Sequence, residues 1–86
     1  MPDEVEGKLI GKVIHYFDKI GVAVVKLIAP LKVGDTIRIV GGDIDFEQAI
    51  DSMEVEHKKI NKAKKGDEVG MKVSQKIRDG YRVYKV

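Results

Sequence analysis

Apolar and polar positions exchange every second residue along most of the chain, the period of a half-buried β-strand, and no segment carries a convincing helical period. Residues 7–17 predict a first, long strand. Lys19-Ile20-Gly21 predicts a tight reversal in which Gly21 takes a positive φ at little cost. Residues 22–28 form a β-branched run, ended by Pro30, which has no N–H to give a ladder. A turn at Gly34-Asp35 leads into Thr36-Ile37-Arg38-Ile39, with both isoleucines inward and Arg38 outward, and Gly41-Gly42-Asp43 closes that strand. Residues 46–56 change phase midway. Phe46, Gln48 and Ile50 share one face, whereas Met53 and Val55 keep the opposite parity, so a β-bulge or bend is expected near Asp51-Ser52. Residues 58–65 read as a polar connection with room for one helical turn. Gly66-Asp67 opens a fifth strand with Val69, Met71 and Val73 inward, and Asp79-Gly80 makes a hairpin-type turn into a last strand, 81–85.

Six short strands separated by turns predict an all-β fold, a small closed six-stranded antiparallel β-barrel, since closure hides sheet edges in a short chain. Residues 1–86 are read as a single domain, with 1–6 a flexible N-terminal tail. One internal echo stands out. Lys32-Val33-Gly34-Asp35-Thr36-Ile37 and Lys65-Gly66-Asp67-Glu68-Val69 both set Gly-Asp before an apolar strand, which we read as shared turn chemistry rather than duplication.

Composition narrows the function classes. The 86 residues include no cysteine, which removes disulfides, zinc ribbons and thiol nucleophiles. The longest unbroken apolar stretch, 22–25, is far short of the ~20 residues of a membrane span. The N-terminus, Met1-Pro2-Asp3-Glu4-Val5-Glu6, is acidic where a secretion signal is basic and then apolar, and a cytoplasmic location is expected. Amides are few (Asn61, Gln48 and Gln75) against many Lys and Glu, a bias that fits a thermostable protein. The net charge of +2 conceals a division: residues 1–56 hold 6 basic and 11 acidic side chains (−5), and residues 57–86 hold 10 and 3 (+7). A basic last third favours an anionic partner, nucleic acid first.

The basic candidates are Lys58, Lys59, Lys62, Lys64, Lys65, Lys72, Arg78 and Arg82, able to follow a phosphate backbone, with a solvated lysine-rich loop as the plain alternative. Tyr16 and Tyr84 are the aromatics expected to be accessible for stacking on unpaired bases; Phe17 and Tyr81 are expected in the core or plugging a barrel end. His15 and His57 lie far apart without thiols, and Asp43, Asp45 and Glu47 do not fit an EF-hand loop, so no metal site is expected. Ser52 and Ser74 lack a nucleophile elbow. No catalytic residue, cofactor or enzymatic activity is expected.

Leu31-Lys32-Val33-Gly34-Asp35-Thr36-Ile37-Arg38-Ile39-Val40-Gly41 resembles a segment of domain 2 of translational GTPases, elongation factor Tu above all. Ala63-Lys64-Lys65-Gly66-Asp67-Glu68-Val69-Gly70 is similar to that domain's next signature. The resemblance covers about residues 11–86 and implies a stand-alone translation elongation factor-like protein with a translation-protein type of barrel. It lacks the P-loop, so no GTP is expected. In the resembled domain a Glu, an Arg and an Asn help hold the aminoacyl adenosine of tRNA; the matching positions here are Glu54, His57 and Glu68, of which one is kept. The barrel also resembles a C-terminal appendage of collagenase-type peptidases and, loosely, an RNA-binding subunit of a ribonucleoprotein. Two functions are therefore expected. The first is a non-catalytic RNA-binding module of translation or RNA modification, with tRNA or rRNA as partner. The second is a protein-interaction barrel that docks onto a larger enzyme or ribonucleoprotein.

Overall fold

The computed structural model describes residues 7–42 and 44–86. The proposed tail, 1–6, and Asp43 of the Gly41-Gly42-Asp43 turn lie outside them. The described residues are all-β, without a helix. The strands are β1 (Lys8–Phe17), β2 (Val22–Leu27), β3 (Leu31–Lys32), β4 (Thr36–Gly41) and β5 (Ile44–Ala49), followed by β6 (Met53–Val55), β7 (Lys58–Ile60), β8 (Lys62–Ala63), β9 (Glu68–Lys72) and β10 (Arg82–Lys85). Eight form one antiparallel sheet in the order β5-β4-β10-β1-β2-β9-β6-β7, and β3 pairs with β8 in a second ladder.

The sheet has two ends, β5 and β7, so the expected closed six-stranded barrel is not what the backbone ladders form. The chain nevertheless curls round one core. β5 and β6 are consecutive in sequence but stand toward opposite ends of the sheet, so residues 50–52 tie one end to the other. This is where the phase change predicted a bend. Ile50 there exchanges backbone hydrogen bonds with the Gly34-Asp35 turn, its N–H donating to Asp35 and its carbonyl accepting from Gly34. Beside the bend, Gln48 reaches across the gap: its Nε2 donates to the Lys72 carbonyl at 2.7 Å and its Oε1 accepts from the Ser74 N–H at 2.9 Å. A side-chain amide thus bonds across a gap where a β-ladder would close the sheet.

Strand parity is as the pattern implies. Ile37, Ile39, Val69 and Met71 are buried and Arg38 faces outward; Val73, expected inward with them, lies past the end of β9 and is half-buried against the core, and Val83 is buried on β10. The buried residues of β1, β2, β4, β6, β9 and β10 form one cluster, and Leu31, Ala63, Ile50 and Ile77 complete it. Burying one such side chain contributes about 1.5–3 kcal/mol, so a core of this kind can hold a domain without disulfides. β1 serves two neighbours, β10 and β2, and its register slips between Leu9 and Gly11 and again between Val13 and His15. Such bulges increase twist and let a long strand bend round the core.

Residues 58–65 differ from expectation: they form β7 and β8 rather than a helical turn. The signal was missed because the connection from β6 is a two-residue turn, Glu56-His57, in which both residues have positive φ (52° and 66°) without being Gly, Asn or Asp. Asp79-Gly80 turns the chain as expected but makes no hairpin, since β10 pairs with β1 and β4.

The Gly-Asp echo is geometric. In both turns the Asp N–H donates to the carbonyl three residues back (Lys32 at 3.1 Å, Lys64 at 3.0 Å), and the Asp carboxylate accepts from the same lysine's N–H. Gly34 and Gly66 take φ of 98° and 94°, the left-handed conformation this turn requires. Each turn is also straddled in the same way, by Ile50 and by Leu27, whose N–H donates to the Asp carbonyl and whose carbonyl accepts from the Gly. The two short strands that enter these turns pair with each other, Leu31 opposite Ala63 and Lys32 opposite Lys62.

Candidate functional site

The outer face of β2, β9 and β6 carries a depression whose shape follows from one glycine. Val24, Gly70 and Glu54 stand side by side across the three strands. The middle position has no side chain, so its neighbours become walls and Gly70 the floor of a cavity of about 620 Å³. One wall is apolar. Val22 and Val24 come from β2, Phe17 from the end of β1 and Ile20 from the β1–β2 turn; Phe17 and Ile20 are 46% and 60% exposed, large apolar side chains left in water. Phe17 is therefore neither a core residue nor a plug as expected; its ring meets the His15 imidazole edge-on, with centroids 4.3 Å apart.

The opposite wall is acidic. Glu54 on β6 and Glu56 in the β6–β7 turn form it, and Asp67 just before β9 and Glu68 at its start continue the acidic lining along the central strand, with His57 and no lysine or arginine among the lining residues. The turn holding Glu56 and His57 keeps its left-handed backbone without glycine, a strained arrangement at the groove's rim. Asp67 accepts from the Lys64 N–H, which fixes the rim at that end.

Glu54, His57 and Glu68, the positions matched to the adenosine pocket, all lie in this groove. The fold brings them together, but beside two further carboxylates, a setting that repels phosphate. The basic candidates do not gather there. Lys58 and Lys59 are on β7, with Lys59 opposite Glu54; Lys62 is on β8 opposite Lys32. Lys64 and Lys65 belong to the turn before β9, Lys72 ends β9, and Arg78 is in the loop before β10. Arg82 stands in an outward row with Lys12 and Lys26 across β10, β1 and β2. Tyr16 packs half-buried against the core, and Tyr84 is half-buried between Leu9 and Arg38. Tyr81, expected inside, does pack against the core.

Elsewhere, Arg38 holds Asp45 by two hydrogen bonds, Nε to Oδ1 at 2.6 Å and Nη2 to Oδ2 at 2.5 Å. That hydrogen bonding first, and the guanidinium charge besides, keep the Asp45 carboxyl below the ordinary 3.8. Among the described residues no group of three or more His, Asp or Glu side chains is placed to hold a metal ion. No helix among them is long and apolar enough to cross a membrane. The groove itself was not legible from periodicity, because its floor is a glycine inside a strand and its walls come from three separated segments.

No protein-family profile matches the chain. Over 76 residues, 87% of its length, it is 42% identical to a protein of Methanocaldococcus jannaschii described as an uncharacterized protease. The chain spans only 19% of that relative. Among solved structures it superposes on the C-terminal domain of a protein of Geobacillus thermoleovorans named as a U32 peptidase, with a TM-score of 0.86 and 23% identity, covering 91% of this chain and 99% of that one. A second structure of that domain gives the same score and identity, covering 92% of each chain. These findings overturn the elongation factor-like reading and, with it, the RNA-binding module of translation. Part of what carried the resemblance has a local physical cause: the Gly-Asp pair is what the hydrogen-bonded turn itself requires, at both Gly34 and Gly66. The fold is that of the C-terminal domain of a U32 peptidase.

Proposed function

We propose that the chain is a non-catalytic docking domain, a single folded unit that supplies a binding surface to a larger enzyme of the U32 peptidase type. The observation that carries this reading is the 42% identity over nearly the whole chain to a small part, 19%, of a protein described as a protease. The likeness in fold to the C-terminal domain of a named U32 peptidase supports it. The surface supports it too. It offers a groove with exposed apolar side chains but no nucleophile beside a base, and binding rather than bond-breaking is what such a groove does well. The reading includes a cytoplasmic location, in keeping with a chain that needs no disulfide.

The test is reconstitution. The chain, produced separately, is mixed with the catalytic polypeptide of a U32-type peptidase from the same organism and followed by size exclusion with light scattering and by calorimetry. A one-to-one complex with a dissociation constant of about 1 μM or tighter, some −8 kcal/mol, is expected. Absence of a complex at about fifty times that concentration, or peptide hydrolysis by the chain alone, refutes the reading.

A further inference from the structure

Resting on that docking role, we infer that the groove over Gly70 is the docking site and that it receives an extended peptide segment of the larger enzyme in which Lys or Arg side chains alternate with apolar ones. The apolar half follows from Phe17 and Ile20, whose exposed side chains stand beside Val22 and Val24 and gain by being covered. The basic half follows from charge complementarity. Glu54, Glu56, Asp67 and Glu68 face the groove, and no lysine or arginine lines it. The carboxylates of Glu54, Glu56 and Glu68 are held in no side-chain hydrogen bond or ion pair among the described residues, although Lys59 and Lys26 are the cross-strand neighbours of Glu54 and Glu68, so a visitor's cations can compete for them. Val24 on β2 and Glu54 on β6 stand on opposite sides of Gly70, as an extended segment requires if alternate side chains are to be sorted by polarity, and Glu68 carries the acidic side along β9 itself, with Lys26 as its cross-strand neighbour. The chain's own first six residues carry Asp3, Glu4 and Glu6 and have the wrong sign to fill the groove. A nucleic acid has the wrong sign as well.

The probe is a fluorescein-labelled nine-residue peptide of alternating Arg or Lys and Leu, read by fluorescence polarisation at low salt, with a Glu-for-Arg/Lys counterpart as control. Saturable binding of the basic peptide is expected, at least tenfold tighter than the acidic one and weakened severalfold by added salt, which shortens the Debye length. Gly70→Val fills the floor and is expected to weaken binding at least tenfold. Gly70→Ala is the milder variant, since its Cβ would meet Val22 Cγ1 at an ordinary 3.4 Å and the strand can keep its shape. Glu54→Lys with Glu68→Lys is expected to reverse the preference between the two peptides, and Arg82→Glu, outside the groove, to leave the reconstituted enzyme complex unchanged. Circular dichroism melts confirm that each variant is folded.

The inference is overturned by equal affinity for both peptides, by no saturable basic-peptide binding, or by folded Gly70 variants that bind as the parent does. A dimer that Gly70→Val dissociates would make a second copy the occupant, and single-stranded RNA displacing the peptide would make it nucleic acid; either overturns it. If the complex with the catalytic polypeptide forms but ignores the Gly70 and glutamate variants, the groove assignment falls and the docking role stands. If no complex forms, the docking role itself has failed.

Discussion

Removing the Gln48 side chain should loosen the fold at the seam where the sheet fails to close. Its amide makes two hydrogen bonds across the gap, to the Lys72 carbonyl at 2.7 Å and from the Ser74 N–H at 2.9 Å. Each such bond is worth a net of about 0.5–1.5 kcal/mol. Lys72 and Ser74 are exposed, so water can replace the lost partners, and the lower half of the range applies. Gln48→Ala is expected to cost about 1–2 kcal/mol, a fall in Tm of about 5–12 °C for a domain of this size. Gln48→Leu separates packing from bonding: it restores apolar bulk beside Phe46 and should recover only a minor part of the loss.

Gln48→Glu adds a signed prediction at the same position. Its ionised carboxylate can accept from Ser74 but faces the Lys72 carbonyl, which raises its folded pKa above the unfolded value of about 4.3. The folded state then holds the proton more tightly, so the variant comes nearest to the parent below about pH 4 and loses ground as pH rises through the raised value. The assay is thermal and urea unfolding of parent and variants from about pH 3 to pH 7. Melting points for both Ala and Leu within about 2 °C of the parent would refute the seam argument, because then the bonds contribute nothing. A Glu deficit that does not vary with pH would refute the geometry at Lys72.

Three further outcomes are expected. Asp45 should titrate below 3.8 by NMR because Arg38 holds its ionised form; its stabilising contribution is present above the unfolded pKa and lost as pH falls through the folded one, and Arg38→Gln should return its midpoint toward 3.8. Glu56→Asn with His57→Gly supplies residues suited to two successive positive φ values and should raise stability by about 1 kcal/mol, seen as a Tm increase of a few degrees; an unchanged Tm argues against that turn. Of the twin turns, Asp67→Ala should cost about 1 kcal/mol in chemical denaturation, whereas Asp35→Ala should cost more, because Asp35 also meets Lys85 Nζ at 3.4 Å; equal costs would deny that pair a role.

Most of the strands were legible because alternation is a local signal. The inward set Ile37, Ile39, Val69 and Met71 needed only period-2 counting, and the misfit between Ile50 and Met53 located the bend. What escaped was set by tertiary pairing. β3 and β8 are two residues each and exist only because they face one another, with no periodicity to announce them. β7 was hidden by Glu56-His57, residues that do not signal a tight turn. Barrel closure was inferred from strand number, but closing a ladder requires two edges in register. Here a bend at residues 50–52 and one glutamine amide stand in for it. Glu54, His57 and Glu68, grouped by a resemblance that is overturned, line one groove, while the places of Phe17, Ile20 and Gly70 in it depend on β2, β9 and β6 lying side by side.

The same pairing explains why the charge of a sequence segment is not the charge of a surface. Summed along the chain, the last third is +7 and invites a polyanion. A partner does not meet a segment sum; at physiological salt it feels the charges within a Debye length of about 8 Å. β6, from the acidic part, is paired with β9, from the basic part, so Glu54 and Glu56 face the groove together with two of the last third's three carboxylates, Asp67 and Glu68. The lysines and arginines of that third are meanwhile dispersed over β7, β8, β9, β10 and their connections, several of them opposite or beside carboxylates. The groove lining itself therefore carries four carboxylates and no lysine or arginine on a molecule whose net charge is +2, with Lys59 and Lys26 at its edges opposite Glu54 and Glu68. In the docking reading we propose, antiparallel pairing rather than net charge sets the sign of the segment that the groove receives.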